Sequence, residues 1–344
     1  MECDKCGDSA VMHAAYSGLH LCETHFCRSV EERLRRRVRE DNLLPDDATP
    51  DDPETWVIGL SGGKDSVVLT HILSDTFADD PRVELVALSI HEGIEGYRDA
   101  SLEASLELTE KLDIEHEVVT YEEEFDIRMD DVVEDDPMNM SACAYCGVFR
   151  RDILSRYATE LDADKLLTGH NLDDEAQTAL MNFLEGDIRK ISQQFDASLG
   201  PFPSTNRRAD RDKSAGRDEN RRVDTDTHTR VVTDNFVARA KPLRDVPEKE
   251  VALYAHLNEL PAHITECPHS SEAYRGEIQQ LLYQLEERHP GTRHSILAGY
   301  EELAALAADA HRGETDVDDC KRCGAPTTGE RCRKCELLGT LDAT

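Results

Sequence analysis

The chain has 344 residues, of which 72 are acidic and 39 basic, so its net charge at pH 7 is -33. Hydrophobic residues make up 39% of it, which is enough for one large domain with small appendages and excludes disorder throughout. The longest stretch without a charged residue spans 14 positions, whereas a membrane helix needs about 20 apolar residues, and the first ten residues lack the basic-then-apolar order of a signal peptide. We therefore expect a cytoplasmic protein with no membrane partner.

Each end of the chain carries four cysteine or histidine side chains in two pairs, which is the spacing of a tetrahedral zinc site. The surrounding stretches are too short and polar to build a core, so bound metal would supply the folding free energy, typically ~10–16 kcal/mol for a structural zinc. We predict an N-terminal zinc knuckle at 1–27 and a C-terminal zinc ribbon at 314–344, and we treat Cys27 as a spare thiol. The predicted ligands are Cys3, Cys6, Cys22 and His25 at one end, and Cys320, Cys323, Cys332 and Cys335 at the other.

Residues 28–53 are predicted to form a helix followed by an acidic linker. Val30, Leu34 and Val38 recur at helical spacing. Six Arg against two Glu over 28–39 give this stretch a local charge of +4. A basic face of this kind can contact nucleic acid or can simply be solvated, and the sequence leaves both interpretations open.

From residue 54 to 313, short apolar strands alternate with helical segments. This alternation indicates an α/β fold with a doubly wound parallel sheet whose faces are both covered. A fifth strand is expected near 236–240. Residues 204–230 are too polar to bury a core, so we predict a disordered insertion there. Contact of its arginines with nucleic acid is the less favoured alternative.

The clearest chemical motif lies between the first strand of this domain and the helix that follows. Consecutive glycines let the backbone approach an anion closely, and a helix N-terminus offers unpaired N–H groups to it. The common P-loop has Ser or Thr after its lysine to hold magnesium, but here Lys64 is followed by Asp65. The segment SGGKDS instead resembles the PP-loop of the adenine-nucleotide alpha-hydrolase superfamily, whose members cleave ATP between the alpha and beta phosphates. The residues predicted to bind the phosphates are Ser61, Gly62, Gly63, Lys64, Asp65 and Ser66.

A second segment, 168–178, resembles the GHNxDDxAET motif of PP-loop thiouridylases and lysidine synthetases. It follows a predicted strand, so Asp174 can face the PP-loop across the crevice where doubly wound folds bind ligands. We assign chemistry to Asp174 and helix N-capping to Asp173, because Asp is a favourable N-cap residue. The end of the second strand, 89–92, is expected to border the adenine. The further residues predicted to bind the nucleotide are Ser89, His91, Gly169 and Asp174.

Three cysteines remain: Cys143 and Cys146 form a CxxC pair, and Cys267 lies in a distant loop. Such a set suits an iron–sulfur cluster, but it also suits a persulfide relay or a disulfide. In chain order, the motifs are a zinc knuckle, the PP-loop, the CxxC pair, GHNLDDEAQT, AKPLRDVPEKEVALYA, ECP and a zinc ribbon. In this order they resemble the TtuA and cytosolic tRNA 2-thiouridine synthetase family over essentially the whole chain outside the insertion.

The resemblance implies a function and a set of cofactors. Members of that family adenylate O2 of a tRNA uridine with ATP and Mg²⁺ and replace this oxygen with sulfur. Three of their cysteines hold a [4Fe-4S] cluster whose fourth iron is free to carry sulfide. Carried over to this sequence, Cys143, Cys146 and Cys267 hold the cluster, and Lys64 and Asp174 act in adenylation.

The resemblance also implies partners. They are tRNA as substrate and a ubiquitin-like sulfur-carrier protein with a C-terminal thiocarboxylate, and a homodimer is compatible with the family. The basic stretches 28–39 and 320–335 are the candidates for tRNA contact. Each lies beside a predicted Zn²⁺ site, which would fix its orientation. The family often has Lys where this chain has Arg150. Arg cannot act as a base, so a proton-transfer role at this position is in doubt.

Several alternatives stay open. We expect modification of the wobble uridine rather than a T-loop uridine, because T-loop thiolation mainly serves thermophiles. The evenly spread acidic residues of this chain instead indicate adaptation to salt, as in a haloarchaeal member. A lysidine-type tRNA ligase would use the same PP-loop on cytidine, but it has no need of the three remaining cysteines. A non-catalytic nucleotide-binding zinc adapter is disfavoured by the complete PP-loop motif together with Asp174.

Overall fold

The computed structural model describes residues 1–135, 138–186, 188, 190, 191, 237–269, 274–310 and 318–341. The predicted insertion at 204–230 lies outside these residues. The division of the chain at residues 27, 53 and 313 stays a prediction.

The strands form one central sheet and two small hairpins. The central sheet has five strands in the order β5-β4-β3-β6-β7, and all its pairings are parallel, as the alternation of strands and helices predicts. The expected fifth strand is present as the edge strand β7. The strands are β1 (Met12–Ala14), β2 (Leu19–Leu21), β3 (Glu54–Gly59), β4 (Val83–His91), β5 (Glu115–Thr120), β6 (Lys165–Thr168), β7 (Ala238–Ala240), β8 (Asp318–Asp319) and β9 (Pro326–Thr327).

The longer helices of the main domain agree with the periodic segments of the sequence. The two short helices between residues 121 and 135 and the helix Arg333–Leu341 were not predicted. Within the described residues, no helix is both long and apolar enough to cross a membrane. The helices are α1 (Glu23–Glu40), α2 (Lys64–Phe77), α3 (Tyr97–Leu112), α4 (Tyr121–Phe125), α5 (Met129–Asp135), α6 (Ala142–Glu160), α7 (Leu172–Glu185), α8 (Glu248–Leu257), α9 (Tyr274–Arg288), α10 (Thr292–Ala310) and α11 (Arg333–Leu341).

Helices cover both faces of the central sheet. Successive side chains of a strand point to opposite faces. Trp56 and Ile58 of β3 accordingly pack with α1, α2 and α8, whereas Val57 packs with α5, α6 and α11. All three side chains are fully buried, and burial of an aliphatic side chain such as Val57 or Ile58 contributes about 1.5–3 kcal/mol. The continuous apolar run of β3 is therefore explained by its two covered faces.

Helix α1 packs on the sheet and pairs most of its arginines within the chain. Its buried apolar residues share one cluster with β3. Arg33 pairs with the buried Glu250 of α8, and Arg37 pairs with Asp245 at 2.7 Å. Further ion pairs of this helix join Arg28 to Glu32, Arg35 to Glu31 and Asp75, and Arg36 to Glu40. These carboxylates neutralise the +4 stretch, which argues against the nucleic-acid interpretation of this helix.

The two terminal modules are each built on a short hairpin. β1 and β2 pair in the N-terminal module, and β8 and β9 pair in the C-terminal one. The C-terminal module docks through α11, because Leu337 is fully buried in the cluster that α6 lines. Lys334 adds an ion pair to Asp152 of α6 at 2.8 Å. Lys334, which was predicted to be available to tRNA, therefore forms an ion pair inside the protein instead.

Candidate active site

The carboxyl ends of β3 and β6 meet where the strand order reverses. β4 and β5 lie on one side of β3, whereas β6 and β7 lie on the other. Doubly wound sheets bind ligands in the crevice at such a point. The turn after β3 is the PP-loop motif, and the turn after β6 begins the 168–178 segment. The fold therefore brings the two motifs together.

The PP-loop turn is braced by its own hydroxyl groups. The Ser66 hydroxyl accepts the N–H of Ser61 at 3.1 Å and donates to the carbonyl of Gly63 at 3.0 Å. Gly63 is the N-cap of α2 and offers no side chain to the first-turn N–H groups, so the cap leaves them available to an anion. Ser66 is buried and Ser61 is exposed. Ser66 thus shapes the loop, while Ser61 lies on its surface.

Two glycines let neighbouring segments approach the loop closely. Gly62 has a φ of +76°, and a Cβ there would lie 1.8 Å from the carbonyl oxygen of Ser101. A Cβ on Gly169 would lie 2.8 Å from backbone atoms of Asp65 and Ser66. Both contacts involve backbone that cannot move aside, so each position requires glycine. These two predicted site residues set the shape of the crevice.

Asn171 joins the two motifs. Its Nδ2 donates to Asp65 Oδ1 at 2.9 Å. Its Oδ1 accepts the N–H groups of Asp173 at 2.9 Å and Asp174 at 3.1 Å, and Asp174 Oδ2 accepts the N–H of Asn171 at 3.2 Å. Asn171 was absent from the predicted site residues, although Asn followed by an acidic residue three positions later at a helix start is a capping-box signal.

Lys64 lies between two carboxylates at the start of α2. Its Nζ donates to Asp65 Oδ2 at 3.0 Å and to Glu248 Oε1 at 2.9 Å, and the hydroxyl of Tyr283 donates to Glu248 Oε2 at 2.6 Å. Burial alone would lower the pKa of Lys64, but the two carboxylates outweigh it and raise this pKa above its ordinary value. Lys64 is therefore a stable cation beside the PP-loop. Glu248 was not predicted, because it lies far along the chain from the loop.

The prediction that Asp173 caps its own helix is wrong, since Asn171 is the N-cap of α7. The Asp173 carboxylate instead accepts the N–H of Glu248 at 2.8 Å and pairs with Arg293 at 2.6 Å, so it caps α8. Burial raises the pKa of Asp173 to about 6. The side chain of Asp174 is 33% exposed, and burial also raises its pKa. Asp174 is the more accessible of the two.

Ser89 and His91 end β4 next to the PP-loop strand. The Ser89 hydroxyl is buried and donates to the carbonyl of Leu60 at 2.6 Å, while His116 Nε2 lies 2.7 Å from the same hydroxyl. His91 Nδ1 accepts the N–H of Gly93 at 3.2 Å. The Ser89 side chain thus links two strands. The assignment of both residues to the adenine remains a prediction.

A cleft of about 570 Å³ opens beside Lys64. Glu248, Tyr283 and Arg293 line it on the main domain, and Tyr16 lines it on the N-terminal module. Its volume lies in the range of small-molecule binding sites. The cleft connects the PP-loop lysine with the N-terminal module.

The three remaining cysteines come from two elements. Cys143 and Cys146 lie at the start of α6, the first exposed and the second buried. Cys267 lies between α8 and α9 and packs against the same apolar cluster as Cys146. Burial raises the pKa of Cys267, and the neighbouring Cys143 adds to the rise. The loop of Cys267 is tied to the PP-loop, because the N–H of His263 donates to the carbonyl of Gly62 at 2.8 Å.

The terminal cysteine sets have the geometry of single-metal sites. In the N-terminal set, His25 Nδ1 lies 3.6 Å from Cys3 Sγ and 3.2 Å from Cys22 Sγ, and Cys6 Sγ lies 3.7 Å from Cys22 Sγ. Thiolates around one zinc lie about 3.8 Å apart, because Zn–S bonds are about 2.3 Å. Within the described chain, the sets whose ligand atoms all lie within 4.8 Å are Cys3, Cys6, Cys22 and His25, and Cys320, Cys323, Cys332 and Cys335.

The three central thiols are more widely spaced than the terminal sets, since they do not meet that 4.8 Å limit. A four-iron cluster binds each thiolate on a different iron, so it accepts a wider spacing than one metal ion does. None of the cysteines forms a disulfide, which argues against the disulfide alternative for this set.

A parallel sheet with this loop at its switch point defines a PP-loop nucleotide-binding protein. Residues 30–198 match the PP-loop domain family, and residues 2–27 match the family described as 2-thiouridine synthetase TtuA, N-terminal LIM domain. The chain is 68% identical to the tRNA 2-thiolation protein NcsA of Haloferax volcanii, with 100% of both chains covered. It is 33% identical to the cytoplasmic tRNA 2-thiolation protein 1 of Danio rerio, covering 99% of this chain and 89% of the relative.

A solved structure agrees with these relatives. The U34-tRNA thiolase NcsA from Methanococcus maripaludis, determined with its [4Fe-4S] cluster, has a TM-score of 0.76 and 31% identity, covering 99% of this chain and 96% of that one. The chain belongs to the NcsA family of tRNA 2-thiolation proteins and is a tRNA sulfurtransferase that uses ATP. The predicted family is confirmed.

Proposed function

We propose that this enzyme converts the wobble uridine of tRNA to 2-thiouridine, with ATP activation at the PP-loop and sulfur delivery at Cys143, Cys146 and Cys267. The observation that carries the proposal is the hydrogen bond from the N–H of His263, in the loop of Cys267, to the carbonyl of Gly62. It supports sulfur delivery next to ATP activation. The Methanococcus maripaludis relative is described as a U34-tRNA thiolase, and position 34 is the wobble position. This favours the wobble base over the T-loop.

The PP-loop residues would perform the activation. O2 of the uridine attacks the alpha phosphorus of ATP, and pyrophosphate leaves. The first-turn N–H groups of α2 and Lys64 would stabilise the charge on the phosphates. Lys64 would do so by exchanging Glu248 for a phosphate oxygen. Asp65 and Asp174 are both hydrogen-bonded to Asn171, and carboxylate oxygens are hard ligands that suit Mg²⁺.

A [4Fe-4S] cluster with one open position suits the three central cysteines. Cys143 is a neighbour of Cys267, and Cys267 packs against the apolar cluster that contains Cys146, which supports this assignment. When bound, such a cluster supplies an iron that can hold the sulfur that replaces O2 and releases AMP. Cys146 is buried against the core, so its position is fixed by packing. Arg150 Nη2 lies 3.3 Å from Cys146 Sγ and places a permanent positive charge there.

The terminal ligand sets fit Zn²⁺, because soft thiolate and imidazole donors lie at tetrahedral separations. We assign both sites a structural role, since neither set borders the PP-loop motif. Each module would be held folded by its metal.

The proposed partners follow from the reaction. The substrate is tRNA, and its target base must leave the stack to reach a crevice at the sheet edge. The sulfur donor would be a ubiquitin-like carrier with a C-terminal thiocarboxylate, and the assembly would be a homodimer. We propose a cytoplasmic location, in keeping with relatives named cytoplasmic tRNA 2-thiolation protein 1. The composition remains our reason to propose a halophilic protein.

Lys64→Ala tests the activation step. Pyrophosphate formation and 2-thiouridine in tRNA should both fall below detection, with the far-UV circular dichroism spectrum unchanged. Lys249→Ala is the matched control, because Lys249 is an exposed lysine that lines the same cleft. Wild-type pyrophosphate formation by Lys64→Ala would remove the PP-loop from the mechanism.

A further inference from the structure

A carboxylate with no solvent exposure lies between the PP-loop and the cysteines. Glu92 directly follows β4 and is 0% exposed. Arg150 of α6 donates to Glu92 Oε1 through Nε at 3.0 Å and Nη2 at 2.7 Å. Arg98 of α3 pairs with the other oxygen, Oε2. Each oxygen of this carboxylate is therefore paired with an arginine.

The two arginines extend this contact in opposite directions. Arg98 Nη1 donates to the carbonyl of Ser61 in the PP-loop at 3.2 Å. Arg150 Nη2 lies 3.3 Å from the sulfur of Cys146. An unbroken series of polar contacts thus runs from the nucleotide loop to the cysteine site.

The burial of the three side chains indicates what the series does. The Arg98 side chain is only 7% exposed, whereas the Arg150 side chain is 48% exposed. A purely structural ion pair gains little over packed apolar side chains. Here, the buried pair instead orients a guanidinium that stays accessible. Within the described chain, Nη1 of Arg150 makes no hydrogen bond, so two of its five N–H donors are free for a ligand.

We propose that Glu92 is a positioning residue that holds Arg150 beside Cys146, where the guanidinium binds the anionic sulfur of the thiolation reaction, of the hydrosulfide class. The inference rests on the proposed sulfur site. Arg keeps its charge at every relevant pH and offers a planar set of donors. Its role is to attract and orient a sulfur anion, and it takes no proton.

The first test uses full-length protein that retains its terminal metals but lacks the cluster. The rate of Cys146 alkylation is measured with iodoacetate, an anion, and with neutral iodoacetamide, by mass spectrometry of the modified peptide. The ratio of the two rates reports attraction of an anion, because the fraction of thiolate cancels. Glu92→Asp keeps the charge but shortens the side chain, so any change reports position.

The iodoacetate-to-iodoacetamide ratio should fall about tenfold in Arg150→Gln, the size of one charge-assisted hydrogen bond, and by about threefold or more in Glu92→Asp. Arg151→Gln removes the neighbouring charge, whose Nε donates to the carbonyl of Gly147 at 2.8 Å, and it should leave the ratio unchanged. Glu250→Asp shortens another buried glutamate paired with an arginine and should also leave it unchanged. Arg150→Gln takes one partner from the buried Glu92, so its fold is checked by far-UV circular dichroism. An unchanged ratio in the folded variant would overturn the proposal.

The second test uses anaerobically reconstituted protein. The dissociation constant of hydrosulfide is measured from the visible absorption of the iron–sulfur protein. It should rise about tenfold in Arg150→Gln and should also rise in Glu92→Asp. The controls Arg151→Gln and Glu250→Asp should keep the wild-type value. Equal affinities in all variants would overturn the role of Arg150. Failure of the wild type to bind iron would instead contradict the proposed cluster, and the alkylation ratio would still decide the role of Glu92.

Discussion

Asn171 performs two tasks that can be separated by substitution. It caps α7 through Oδ1, and it holds Asp65 of the PP-loop through Nδ2. Ser caps helices about as well as Asn but is too short to reach Asp65, so Asn171→Ser should lose only the second task. A hydrogen bond to a charged group contributes about 1.5–3 kcal/mol. Asn171→Ala should lose the cap as well, a further ~0.5–2 kcal/mol.

The assay is a double-mutant cycle in the free energy of unfolding, measured by urea denaturation at pH 7.5. The corners are wild type, Asn171→Ser, Asp65→Ala and the double variant. We expect a coupling free energy of about 1.5–3 kcal/mol, since removal of either partner already breaks the bond. The KM for ATP in pyrophosphate formation should rise in Asn171→Ser, because Asp65 is no longer fixed. Additive effects within about 0.5 kcal/mol, or an Ala variant as stable as the Ser variant, would refute this reasoning.

Three further predictions follow from other parts of the structure. Gly62→Ala should lose about 2 kcal/mol of stability or more, because its backbone is left-handed and its Cβ would contact Ser101. The adjacent Gly63→Ala should cost about 1 kcal/mol or less, because its Cβ would come no closer than 3.5 Å to another group. Equal losses of the two variants in denaturant titrations would contradict this. Chelation of the terminal metals should unfold both end modules while ATP binding to the central domain persists, which calorimetry with and without chelator measures; loss of ATP binding at the same chelator concentration would contradict it. Burial lowers the pKa of His116 below the ordinary 6.5, so the unfolded chain binds more protons and wild-type stability falls as the pH drops below about 6.5. Relative to wild type, His116→Gln should therefore become more stable as the pH is lowered from 7.5 to 5. A difference in unfolding free energy that stays constant over this range would show that His116 does not cause the pH dependence.

Local sequence signals were sufficient for the sheet and the motifs. The strand–helix alternation predicted that the sheet is parallel, because short apolar runs between helices leave few other arrangements. The glycines of SGGKDS and the paired cysteines predicted the loop and both terminal sets, because their chemistry depends on residues close in the sequence.

Contacts between distant residues could not be predicted in this way. Lys64 and Glu248 are separated by 184 positions, and no local pattern of either residue indicates the other. The arginines of α1 were predicted to form a basic face because several of their carboxylate partners lie far away in the sequence. Glu250, the partner of Arg33, is 217 positions away. Asp173 was expected to cap its own helix, but the tertiary fold places α8 against it.

The central claim is that activation and sulfur delivery are adjacent but separable, and Cys146→Ala tests it most directly. In an anaerobic single turnover with ATP, hydrosulfide and tRNA, pyrophosphate is quantified and 2-thiouridine is mapped to its position by mass spectrometry. We predict that wild type forms pyrophosphate and 2-thiouridine at position 34, whereas the variant forms a comparable amount of pyrophosphate and no 2-thiouridine. Continued thiolation by the variant, or loss of pyrophosphate formation in a variant that still folds and binds ATP, would contradict the account.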